Sequence, residues 1–188
     1  MRLINYPYHY EQYQVAGCPR FPGNMLPVLH YKNVLSPGFL WVFKTRQLLR
    51  KHNWYRSHVH GFLTYNHYHS NAHEVLVVLQ GNTRIQLGGD SGVTLNIGTG
   101  DVLVFPAGTV HKNLTDEYTV KCLSAYHHGI RPNINCGHPC ERPVADLTIE
   151  KVSLPNADPI FGANGPLTAE WSRLTVAHKL YAKMHLQD

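Results

Sequence analysis

The sequence predicts a mainly β fold: one antiparallel barrel or sandwich, with an irregular arm and a helix before it and an extension containing a helix after it. Two observations carry this reading. After Trp54 the chain breaks into seven short apolar or alternating runs, each bounded by Gly, Asn, Asp or Pro. Between these runs there is no segment long enough for a crossover helix, so alternating βα units are excluded and a small closed β architecture is favoured.

The elements follow in order. Residues 1–36 are rich in Tyr, Pro and Gly and show no sustained period, which predicts an arm with one short strand, Pro27 to Tyr31. Ser36-Pro37 reads as a helix N-cap followed by proline at the first helical position. From there to about Asn53, Leu40, Trp41, Phe43, Leu48 and Leu49 recur at helical spacing and predict an amphipathic helix packed on a sheet. The seven strands are His58–His67, Glu74–Leu79, Thr83–Leu87, Val93–Ile97, Val102–Phe105, Val110–Leu114 and Thr119–Tyr126. Closure into a jelly roll would bring 58–69 and 110–114 side by side. A further strand is expected over Leu147 to Leu154, then a turn-rich stretch, then a helix from Thr168 to Met184 with Trp171, Leu174, Val176 and Leu180 as its apolar stripe. The expected division is arm and packing helix over 1–56, barrel core over 57–128, and an extension packed on the same domain over 129–188.

With 188 residues, 43% of them hydrophobic and only 15% charged, the chain can bury one substantial core and is not disordered. The net charge of +5 is diffuse, and its densest run, Lys44 to Lys51, reads as the solvated side of a helix. No nucleic-acid partner is therefore expected. No secretory leader and no apolar run of about 20 residues is present, so a cytoplasmic protein with reduced thiols and no membrane partner is expected. Cys136-Gly-His138-Pro-Cys140 lacks a nearby second ligand pair, Cys18 being distant in sequence, and reads as metal-free loop cysteines.

Chemistry concentrates in two stretches, Gly61 to Gly81 and Gly100 to Asn113. His67 and His69 are two apart, so on a strand both rings face one side, about 6–7 Å apart at Cα. Glu74 adds an oxygen and His111 a third nitrogen, a donor set that suits Fe, Zn, Mn, Ni or Co. Tyr65 shares the parity of His67 and His69. Its phenol would either bind and polarise a substrate or cap the core. His73 should point away from Glu74, as a packing residue or as a partner to a ligand. Arg84, Gln86 and Tyr126 are pocket candidates whose facing the sequence does not fix. His127 and His128 read as loop residues near the rim.

These two stretches resemble the paired motifs of the cupin superfamily, the RmlC-like jelly rolls. The first motif is Gly, five residues, His-x-His, three or four residues, Glu, six residues, Gly, and it is met by Gly61, His67, His69, Glu74 and Gly81. The second is Gly, five residues, Pro-x-Gly, two residues, His, three residues, Asn. Gly100, Pro106, Gly108 and His111 match it, whereas Thr115 stands at the Asn position and Asn113 comes two residues early. More narrowly, the chain is similar to the YjlB-type bacterial cupins over roughly residues 19 to 172. That similarity includes His67 to Glu74, Pro106 to Leu114, Ser153 to Gly162 and Gly165 to Thr168. It implies a double-stranded β-helix, a divalent metal held by His67, His69, Glu74 and His111, and commonly a homodimer.

On this basis a small-molecule enzyme of oxygenase or isomerase type is expected, with Glu74 and Tyr65 as candidate catalytic groups. Two alternatives stay open: a non-catalytic metal or small-ligand binding module, and a metal-free sugar epimerase-like barrel using His as base and Tyr as acid.

Overall fold

The computed structural model describes residues 2–185. Its elements are β1 (His9–Tyr13), β2 (Val28–Lys32), α1 (Trp41–Lys51), β3 (Trp54–His60), β4 (Glu74–Leu87), β5 (Val93–Gly98), β6 (Val102–Phe105), β7 (His111–Asn113), β8 (Val120–His127), α2 (Val144–Glu150) and α3 (Pro166–His185). All strand pairings are antiparallel, and the strands form a jelly-roll barrel. One side runs in the order β1-β2-β6-β4-β8-β3, while β5 and β7 flank the far half of β4.

β4 organises the barrel. The sequence predicts two strands here, split at Gly81-Asn82, but the chain continues as one 14-residue strand. Gly81 (φ 84°) creases it, and a Cβ at that point would collide with the carbonyl of Thr119. Before the crease β4 pairs with β6 and β8; beyond it, with β5 and β7. Both faces of the first half are covered, which explains its unbroken apolar run. Leu76 and Val78 point into the barrel with Phe62, Ile85, Leu87, Leu103 and Phe105. Val75 and Val77 face outward, beneath a layer that includes Leu49, Trp54, Leu167 and Trp171. Each fully buried aliphatic side chain in these layers contributes roughly 1.5–3 kcal/mol.

The outer layer is pinned by Asp158, which is fully buried. Its carboxylate accepts from Tyr31 Oη (2.5 Å) and from the backbone N–H groups of Ile160, Phe161 and Leu167 (2.8, 3.0 and 3.0 Å). This anchors the turn that launches α3 and sets Trp171 against the sheet, where its indole N–H donates to the Pro27 carbonyl (3.0 Å).

Five sequence expectations need correction here. α1 begins at Trp41, after Leu40 in a left-handed conformation, because Ser36 is tied to the arm through Leu3 and Asn5. Leu40 and Phe43, expected on the apolar stripe, are 54% and 55% exposed. The first strand of the barrel ends at His60 instead of His67. The run from Leu147 to Leu154 is no strand: α2 occupies its first part, braced by the Arg142–Asp146 ion pair (2.8 Å) and burying Ala145. In α3, Trp171 is buried as expected while Val176 is exposed; the Leu180 side chain lies outside the described residues.

Candidate metal centre

Three segments deliver four side chains to the barrel interior. His67 pairs with His111 as an isolated antiparallel bridge, with N–H···O distances of 3.2 and 3.0 Å in the two directions. Extended backbone there gives the expected alternation. His67 and His69 face inward, whereas Tyr68 between them is buried on the other side with its hydroxyl donating to Glu141 (2.8 Å). The His69 carbonyl accepts from Gly108 N–H (2.8 Å), whose φ of 83° makes the turn that leads into His111. Glu74 opens β4 with Phe105 and Tyr126 as its cross-strand neighbours.

The four side chains share one cavity of about 190 Å³. The His67 and His111 rings are 4.3 Å apart between centroids, and His69 lies 6.0 and 6.3 Å from them. Glu74 Oε2 is 3.2 Å from His69 Nε2 and 3.8 Å from His111 Nε2, and it makes no hydrogen bond. Phe105 stacks flat on His111 at 4.4 Å and fixes its plane.

The outer nitrogens settle the tautomers. His67 Nδ1 meets the Tyr65 carbonyl (3.0 Å), His111 Nδ1 the Thr109 carbonyl (2.9 Å) and His69 Nδ1 the Asn133 carbonyl. A carbonyl only accepts, so each Nδ1 carries the proton, and in the neutral ring each Nε2 presents a lone pair. That is the arrangement in which imidazoles bind a cation. Burial holds His67 below its usual pKa and His111 down at about 3, so both rings are neutral at pH 7. Burial disfavours charge on Glu74 too, but the contact with His69 overcomes it and holds the carboxyl well below its ordinary range. For His69, burial is outweighed by the Glu74 carboxylate, and its pKa is raised.

Donor type and tautomer therefore fit a divalent cation. Among the described residues, however, no three His, Cys, Asp or Glu side chains form a finished cage, and His69 and Glu74 touch each other directly. A bound ion would replace that contact.

The rest of the cavity wall includes Phe62, Leu63, Ile134, Tyr126 and His60. His60 Nε2 bonds Ser124 Oγ (2.7 Å), and its ring stacks on His58 at 4.7 Å. The Tyr126 hydroxyl points at Glu74 Oε1 from 3.5 Å. Burial and then the Glu74 charge push this phenol far up, so it stays protonated. His58 and His60 escaped the sequence reading although they repeat the His-x-His alternation one strand earlier. Tyr126 is in the cavity; Arg84 is exposed and Gln86 bonds the Asp90 carbonyl (3.1 Å), so neither lines it.

Tyr65 is placed differently from expectation. Residues 61–66 leave strand geometry, parity with His67 is lost, and the Tyr65 ring is 49% exposed. Tyr65 serves the site through its carbonyl. His73 does turn away from Glu74 and packs 4.9 Å from Trp171. His127 ends β8 buried against Trp54 at 5.6 Å and is no rim loop residue. Asn113 and Thr115, the displaced pair of the second motif, work together: Asn113 Oδ1 accepts from Thr83 Oγ1 (2.6 Å) and from the Thr115 backbone N–H and hydroxyl (both 3.1 Å), while its amide donates to the Asp116 carbonyl (2.8 Å).

Comparison with known proteins agrees with this architecture. Residues 54–126 match the Cupin domain family. "Uncharacterized protein YjlB" from Bacillus subtilis (strain 168) is 36% identical over 145 residues, spanning 77% of this chain and 86% of that protein. Among solved structures, acireductone dioxygenase from Bacillus anthracis, with a cadmium ion in its active center, overlays at a TM-score of 0.37 with 16% identity, over 67% of this chain and 82% of that one. The WlaRB TDP-quinovose 3,4-ketoisomerase from Campylobacter jejuni gives 0.37 and 18%, over 46% and 72%. These two overlays are distant. The extent of the match to the Bacillus subtilis protein, together with the cupin domain match, shows that this chain belongs to the YjlB family of cupins.

Proposed function

We propose that the protein is a divalent-metal-dependent enzyme acting on a compact small molecule, of oxygenase or isomerase type. One observation carries this reading: three histidines donate outward through Nδ1 and turn Nε2 into one buried cavity beside an ionised Glu74, His67 and His111 as neutral rings and His69 in contact with the carboxylate. His67, His69, His111 and Glu74 would hold the ion, which supplies Lewis acidity or, as iron, oxygen chemistry. The chain's own residues do the rest. Phe62, Leu63 and Ile134 exclude water, and the small cavity limits the substrate to a few heavy atoms beyond the ligands. Tyr126 offers a protonated hydroxyl beside Glu74, placed to donate to an oxygen of the substrate. His60, held through Ser124 and the Gly61 carbonyl, lines the same space.

The direct His69–Glu74 contact favours a second reading, a metal-free barrel in which that pair moves a proton and Tyr126 acts as acid. Metal analysis by mass spectrometry on untagged protein separates the two. Near one equivalent of one metal in the wild type, lost in His67→Ala/His69→Ala, supports the metalloenzyme. Equal traces in both proteins would leave the acid–base barrel.

The four free cysteines support a reducing compartment. No helix among the described residues is long and apolar enough to cross a membrane. A homodimer is also proposed, supported by the exposed Tyr55 and Val59 on the sheet-edge strand β3 and tested by light scattering.

A further inference from the structure

His73 precedes Glu74 and faces the other way, out of the barrel and under α3. It is 2% exposed, and its Nδ1 accepts the backbone N–H of Ala107 at 3.0 Å. An accepting nitrogen carries no proton, so the ring proton sits on Nε2. That Nε2–H is buried and bonds to nothing; the Ser153 backbone lies nearby without reaching hydrogen-bond geometry. Buried donors are almost always paired, so this one asks for a partner.

The ring forms part of the wall of a cleft of about 340 Å³, whose other walls include Met25, Leu26, Ile149, Val152 and Leu154. The polar groups here are otherwise engaged. Asn24 donates to the Ala107 carbonyl (2.8 Å) and accepts from Leu26 N–H (2.9 Å), and Thr175 donates to the Trp171 carbonyl (2.8 Å). Glu150, exposed at the cleft, disfavours an anion. An apolar trough with one buried donor defines its occupant. We propose that this cleft is a second ligand site, separate from the barrel cavity, for a neutral and mostly apolar small molecule whose ketone, aldehyde or alcohol oxygen accepts the His73 Nε2–H.

The test is a titration of the full chain with 2-heptanone, with hexanoate as the anionic control, followed by NMR of the histidine rings and of the Ile149, Val152 and Leu154 methyls. The proposal expects saturable shifts at His73 and these methyls, and binding about tenfold weaker in His73→Phe. Because loss of the Ala107 bond could unfold that variant, Met25→Trp, which fills the cleft from its exposed side, must weaken binding similarly. No saturation by 2-heptanone, shifts confined to His69 and His111, equal binding by hexanoate, or undiminished binding by Met25→Trp would each overturn it.

Discussion

Glu74 and His73 are adjacent in the chain and equally buried, yet they serve opposite chemistries. On the barrel side, three imidazoles fix their Nδ1 protons outward and gather their Nε2 atoms around a carboxylate. On the helix side, His73 accepts from the backbone and carries its ring proton on a buried Nε2 in the wall of an apolar cleft. Burial alone distinguishes nothing here; the tautomer, set by which backbone group meets Nδ1, decides what each face can bind.

The sharpest way to break this contrast is at Trp171, the ring roofing His73. Trp171→Ala should cost about 3–5 kcal/mol of stability in urea unfolding, as large cavities in well-packed layers do. Molecules that remain folded should still bind metal, and a parallel loss of both properties would mean the faces are not separable. Next in size, His67→Ala/His69→Ala should weaken zinc binding by more than about 100-fold in a chelator competition, while His73→Phe changes it by less than about threefold. Acid sharpens the comparison further. Both His73 and His111 are held neutral at about 3 by burial, against 6.5 when unfolded, so their contribution is complete above 6.5 and declines as pH falls from there toward 3. Glu74, also lowered, adds loss in the same direction below 4.5; His69, raised, acts oppositely and fades as pH rises through its folded value. The unfolding free energy from urea titration should therefore drop steadily below pH 6.5, by roughly 2 kcal/mol or more in total, and a flat profile down to the carboxylate range would contradict neutral buried imidazoles. A smaller effect is expected for Asn113→Ala, about 1–2 kcal/mol from its lost turn bonds, with metal content preserved. Tyr65→Phe should change neither stability nor metal binding measurably, because only its carbonyl serves the site.

Much of the inner face was readable in advance. Strand alternation put His67 and His69 on one side, and the Pro106–Gly108 turn pointed to His111. What alternation could not supply was its own limits. Parity extends only as far as the strand, and the chain leaves strand geometry before Tyr65, so that ring was misplaced while its neighbour two residues on was right. Gly81-Asn82 looks like a hairpin turn, yet packing of Gly81 against the Thr119 carbonyl makes it a crease within one long strand. The Leu147 to Leu154 run alternates like a strand, but the Arg142–Asp146 pair and the burial of Ala145 draw its first part into a helix. His60 and the His73 cleft depend on which distant segments meet, and a local period carries no information about that.

The bridge between His67 and His111 has a consequence for how the protein is made. Three of the four candidate ligands, His67, His69 and Glu74, leave the ribosome well before His111, and the β8 wall with Ser124 and Tyr126 emerges later still. A nascent chain thus exposes His67 and His69 as an ordinary loop pair with no enclosure around them. Only when residue 111 has emerged and docked does the cavity exist. On the proposed reading, ion capture would therefore be an act of the finished polypeptide, and a bound metal would report that the barrel has closed.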